Sequence, residues 1–191
     1  LTHLRPYLFL AAALLASAGC DLFQTREPEP PSQGTSSFQT PTDHAIVLQN
    51  FRSAIRESNT ENYMKCFTDT TQRSYAFDPS AEEQIKFVQW DLEAERRSFQ
   101  NMASALAAGT AMSLADSTTN TNIASGTAVY TLRYTLTVPH TEANAPRIVR
   151  GTMELSMAED ARLRTWSIYR WVDQRSGVDS TWSYLKAWFN R

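Results

Sequence analysis

Asp91 and Glu95 stand four residues apart, the spacing that puts two side chains on one face of a helix. Two carboxylates held together in this way can raise one pKa, as an acid–base pair requires. Arg96 and Arg97 follow at once, so the same residues read equally as a solvated face in which carboxylates neighbour cations. Tyr130 and Tyr134 lie at even spacing in an alternating run and project from one face of a strand. There they either line a pocket or bury their rings in a core with the hydroxyls partnered. Arg170, beside Trp166 and Trp171, could hold a ligand carboxylate or pair with an acid on a neighbouring strand such as Glu154. These residues are pocket-lining candidates, and none of them can be assigned a catalytic role from its type and spacing.

Other chemistries find no residues to carry them. The chain has no Ser-His-Asp order, glycine-rich phosphate loop or Cys-His pair for nucleophilic catalysis or nucleotide binding. His44 and His140 have no partners at ligand spacing, so neither a metal nor a cofactor is expected. Cys66 reads as a buried, inert thiol, because free cysteine packs like a small hydrophobe. A formal charge of −2 and the lack of a basic stripe with interleaved aromatics argue against nucleic acid as a partner.

The elements that must position the candidates are legible from period. Thr42-Asp43 predicts a helix start, with Ile46, Val47, Phe51 and Ile55 on one face, and Glu61 to Phe67 predicts a second short helix. Arg73 to Asp78 reads as a short strand ending at Pro79. Ser80 opens a predicted long helix that buries Ile85, Val88, Leu92, Phe99, Met102 and Leu106 and runs to about Leu106. The period then changes to two. Ala111 to Asp116 is a first candidate strand, followed by a polar loop of Ser, Thr and Asn. Thr127 to Pro139 alternates strictly, with Tyr130, Leu132, Tyr134, Leu136 and Val138 inward, and Arg147 to Met157 repeats the pattern. Thr165 to Asp173 carries large apolar groups on both faces and reads as central or doubly covered. Ser180 to Phe189 closes as an amphipathic helix. Helices first and an antiparallel sheet after them predict an α+β domain whose helices cover one face of a curved sheet.

Upstream, Arg5 precedes an apolar run from Tyr7 to Ala16, then Ser17-Ala18-Gly19-Cys20. The run is well short of the ~20 residues that cross a bilayer. The segment resembles a bacterial lipoprotein signal, which is cut before a cysteine whose sulfur carries a diacylglyceryl group. Ala18, Gly19 and Cys20 match that pattern, and Ser17 stands where Leu is usual. The resemblance implies a signal over 1–19, lipidation at Cys20 and a membrane partner in the bacterial cell envelope, with the domain facing the periplasm or exterior. Residues 20–41, with Pro28, Pro30, Pro31 and Pro41 among Ser, Thr, Gln and Glu, read as a mobile tether. The folded domain is expected over 42–191, a length that supports one core without staples.

The order of elements, with Asn50-Phe51-Arg52-Ser53-Ala54-Ile55, Tyr63-Met64-Lys65-Cys66-Phe67, Phe77-Asp78-Pro79 and Trp166 to Asp173, resembles the nuclear transport factor 2-like fold. This fold is a cone-shaped α+β roll, also called cystatin-like or ketosteroid-isomerase-like. The resemblance implies a pocket between the long helix and the concave sheet, where the fold's enzymes place a carboxylate, a tyrosine or a histidine. The isomerase pattern of a first-helix tyrosine with an aspartate base and a buried acid has no counterpart at matching positions. The sequence therefore points to a membrane-tethered, non-catalytic module that binds a protein partner or a small apolar ligand. The alternative is a small isomerase, dehydratase or epoxide hydrolase working in an apolar pocket. An open cavity in which Tyr130 or Tyr134 meets a buried carboxylate favours the enzyme, and a cavity plugged by Met and Trp side chains favours the module.

Overall fold

A computed structural model of the chain describes residues 37–68 and 73–191. The signal and lipidation residues 1–20 lie outside the described residues. Asp43 accepts the Ala45 N–H at 2.7 Å and so starts helix α1 (His44–Arg56), which buries Val47, Leu48, Phe51, Ala54 and Ile55. Asn59 caps α2 (Thr60–Met64) in the same way, through the Asn62 N–H. Strand β1 (Ala76–Asp78) and a 3₁₀ helix (Ala81–Lys86) lead into α3 (Leu92–Ser104). Strands β2 (Ser113–Ala124), β3 (Thr127–Thr137), β4 (Ile148–Asp160) and β5 (Thr165–Gln174) follow, and α4 (Trp182–Phe189) closes the domain.

The five strands form one curved sheet in the order β1-β5-β4-β3-β2, with the helices packed on one side. The pairs among β2, β3, β4 and β5 are antiparallel, and β1 joins β5 in parallel. Tyr130, Leu132, Tyr134 and Leu136 of β3 face inward, with Val149, Met153, Leu155 and Met157 of β4 beside them. The centre of the core is aromatic. The Trp171 and Trp182 rings meet edge to face at 4.7 Å between centroids, and Tyr63 stacks on Phe99 at 3.9 Å.

Four local expectations are corrected. The predicted long helix is broken into the 3₁₀ helix and α3, and Ile85 and Val88 are 85% and 79% exposed rather than in the core. The break follows from Phe87 and Trp90, which both turn in to pack on Phe77, at 5.1 and 6.0 Å between centroids. Gln89, at φ 62°, makes the turn between them, and Asp91 then recaps the chain by accepting the Ala94 N–H. The polar stretch after Asp116 is strand rather than loop, paired with β3 through to Ala124. It escapes an alternation test because Ser117 to Ala124 are exposed on both faces.

In β5 a bulge at Tyr169 shifts the register between Ile168 and Arg170. Ile168 and Trp171, three apart, therefore both point into the core, and no second layer of described residues covers the strand. The packed chain also begins earlier than Thr42. Gln39 exchanges two hydrogen bonds with the Asn50 side chain at 2.9 and 2.7 Å, and Pro41 O accepts the Trp166 N–H at 2.7 Å.

Candidate functional site

Two buried carboxylates organise the concave side of the roll. Glu95 sits on α3 at 1% exposure, on the apolar face between Leu92 and Phe99. Its Oε1 accepts the Tyr63 hydroxyl at 2.6 Å. Its Oε2 accepts the Tyr75 hydroxyl at 3.0 Å, the Trp90 indole N–H at 2.9 Å and the Lys186 ammonium at 2.8 Å. Four donors from four parts of the chain thus converge on one carboxylate, one on Oε1 and three on Oε2. Lys186, also 1% exposed, projects from α4 with its Nζ 3.5 Å from the Trp171 ring centroid and 3.7 Å from that of Phe77. Burial lowers the lysine pKa to about 8 against the pull of Glu95. Burial, with Glu95 beside them, holds the Tyr63 and Tyr75 phenols well above their ordinary range.

The second carboxylate, Asp173 of β5, secures the start of α4. Its Oδ1 accepts the Tyr134 hydroxyl at 2.7 Å, and its Oδ2 accepts both the backbone N–H and the hydroxyl of Ser183, at 2.7 and 2.6 Å. The Tyr134 oxygen in turn accepts the Trp182 N–H at 2.8 Å, so free N–H groups of the first turn of α4 are satisfied by side chains of the sheet. Burial, then Asp173, raises the Tyr134 pKa. Gly151, paired with Tyr134 across β3 and β4, makes room for this ring: a Cβ there would stand 2.7 Å from the Tyr134 oxygen and 2.6 Å from Gln174 O.

The candidates from sequence do not converge on one place. Glu95 and Tyr134 enter the interior but belong to different clusters, which α4 links through Ser183 and Lys186, one turn apart. Asp91 does not share a face with Glu95. It is the exposed N-cap of α3, one residue before the helix, and so no carboxylate pair forms. Tyr130 and Trp166 meet at the rim around His44. The Tyr130 hydroxyl and His44 Nδ1 are 2.6 Å apart, and the Trp166 ring stands edge-on to the imidazole at 5.2 Å. Arg170 points away from the helices and pairs with Asp78 at 2.6 Å rather than with Glu154, because the register sets Ser156 opposite Arg170 and Glu154 opposite Val172.

Sequence reasoning missed Lys186, Tyr63, Tyr75, Trp90, Asp173, Ser183 and Gly151. A signal was present for Lys186, which interrupts the apolar face of its helix between Trp182 and Phe189. Such a charge is rarely buried without a partner.

Apolar side chains close around these two clusters. Phe51, Tyr63, Phe99, Met102, Trp171 and Trp182, all buried, occupy the space where the resemblance implies a pocket. A groove of about 290 Å³ runs outside this core, with Tyr75 and Trp90 in its wall, and it is open to solvent. Among the described residues, no group of three or more His, Cys, Asp or Glu side chains could hold a metal ion. No described helix is long and apolar enough to cross a membrane.

The fold is the nuclear transport factor 2-like α+β roll. Solved structures similar to the chain include a conserved protein of Planctomyces limnophilus, with 12% identity over 68% of this chain and 91% of the other and a TM-score of 0.55. A protein of Novosphingobium aromaticivorans provisionally assigned as a scytalone dehydratase gives 10% identity over 72% and 87%, also at 0.55. A protein of Streptomyces avermitilis provisionally assigned as a dehydratase of the NTF2-like family gives 8% identity over 70% and 94%, at 0.52. At these identities the likeness is one of fold. No family model and no curated protein matches the chain.

Proposed function

We propose that this protein is a non-catalytic binding or assembly module of the bacterial cell envelope, held at a membrane by a lipid on Cys20 and facing the periplasm or exterior. The observation that carries the non-catalytic part is the enclosure of Glu95. A general acid or base needs a free position toward substrate, and Glu95, 1% exposed, is turned inward onto Tyr63, Tyr75, Trp90 and Lys186. Asp173 is committed in the same way to Tyr134 and Ser183. The anchoring part is supported by the Arg5, Tyr7–Ala16 and Ala18-Gly19-Cys20 pattern. Several acyl chains on one cysteine bind a bilayer firmly, because each buried methylene contributes about 0.8 kcal/mol.

A second reading, a dehydratase- or isomerase-type enzyme, draws on the provisional assignments of the two structural neighbours and on the groove beside Tyr75 and Trp90. Fractionation decides the anchoring part. The native chain should sediment with membranes and take up a labelled fatty acid, and Cys20→Ser should lose the label and become soluble or stay unprocessed. Unchanged mobility and distribution would discard the lipoprotein reading. Cross-linking in the envelope followed by capture of the anchored protein then tests the binding role, and recovery of the protein alone, with no partner or apolar ligand, would count against it.

A further inference from the structure

The two edges of the sheet differ sharply. β1 is three residues long, ends at Pro79 and carries Asp78 in its ion pair with Arg170. β2 is twelve residues long, and each residue from Ser117 to Ala124 is exposed. An edge strand presents a row of backbone N–H and C=O groups to any other chain, and proteins guard it with charge, proline, shortness, bulges or cover. β2 is guarded by Asp116 at its covered half and by one bulge at Thr119, whose hydroxyl folds back on Thr131 O at 3.1 Å. Beyond the bulge, Asn120 to Ala124 pair regularly with β3, and their outer edge faces no other described element. From Ser117 to Leu132, the turn end of the hairpin between Asp116 and Arg133, the sequence contains no Asp, Glu, Lys, Arg or His.

We infer that Asn120–Ala124 of β2 is the docking edge for a second copy of this chain, paired antiparallel about a two-fold axis so that two five-stranded sheets become one. Threonine hydroxyls and asparagine amides both donate and accept, so a row of them is complementary to itself. The axis brings no like charges together, which is the ordinary bar to self-pairing across strands. Ile123, 57% exposed, gains a cross-strand neighbour. A two-fold contact also closes on itself, and the short, charged β1 edge gives no route to a longer polymer. An unrelated peptide adding to this edge would be selected through side-chain pockets along the strand, and a row exposed on both faces provides none.

Sedimentation equilibrium on the full chain carrying Cys20→Ser, which removes any acyl group, tests the inference. The chain should show a concentration-dependent monomer–dimer equilibrium. Asn120→Lys with Asn122→Lys should weaken it at least about tenfold while circular dichroism and melting stay unchanged, because the positions are exposed. Asn122→Cys should form an intermolecular disulfide on oxidation, with Cys66, 2% exposed, contributing none. A chain that stays monomeric at every concentration overturns the inference, including the case in which it captures a different protein. So does a dimer that survives the lysine pair and yields no disulfide, which would place the contact on another surface.

Discussion

Lys186 and Glu95 are the residues through which this interior is most easily tested. Breaking a buried pair leaves an uncompensated charge, so Lys186→Met should lower stability by about 3–5 kcal/mol. Glu95→Gln combined with Lys186→Met should be less damaging than the sum of the single changes, with a coupling of at least about 1 kcal/mol in denaturant melts. Additive losses would mean that the two groups act separately. The pair also sets a pH dependence. The Lys186 amine titrates at about 8 in the folded chain and near 10.5 when unfolded, so between these values the unfolded chain holds the extra proton and stability rises with pH. Tyr63, Tyr75 and Tyr134 act oppositely, because their raised pKa values let the native state keep protons that the unfolded chain releases above about 10. Stability should therefore climb from about pH 8 to a maximum near pH 10, where the unfolded chain begins to release its phenol protons, and Lys186→Met should abolish the rise. Gly151→Ala tests the other cluster. Its Cβ would press on the Tyr134 oxygen and on Gln174 O, and a loss of about 1–3 kcal/mol is expected, with the cap of α4 loosened. A neutral substitution would show that Tyr134 can move without cost.

Among the elements, β3 carries the clearest energetic contrast. Leu132 is 0% exposed on the inward face, and Thr131 is half-buried on the outward one. Leu132→Ala should cost about 2–5 kcal/mol and Thr131→Ala less than about 1 kcal/mol, and the reverse order in denaturant melts would exchange the two faces. This strand was legible because alternation states directly which side is buried. The segment from Ser80 to Leu106 was not, since apolar residues at helical spacing say nothing of a turn inserted between them. Phe87 and Trp90 leave the helical path to reach Phe77, and the aromatic contacts outweigh continuation of the helix. The bulge at Tyr169 hid β5 in the same manner, by bringing residues of opposite parity to one side.

For the whole molecule, the unit is tied together at its ends. A chain beginning at Thr42 loses the Gln39–Asn50 exchange and the Pro41 acceptor for the Trp166 N–H, and it should melt several degrees below one beginning at Ser36. Equal melting temperatures would show that this strap adds nothing. At the other end α4 is fastened to α3, with Ser98 donating to Lys186 O at 3.1 Å and Asn101 to Phe189 O at 2.7 Å. The chain's own pattern determined the helix of His44–Arg56, the inward faces of β3 and β4, the closing helix and the α+β order, because burial of one face is written in local period. Only the tertiary structure decided that Glu95 meets Tyr63, 32 residues away, and Lys186, 91 residues away, while Asp91 beside it remains a surface cap. Period tells which side of an element is dry, but the partner across that dry space is set by how distant elements close on one another.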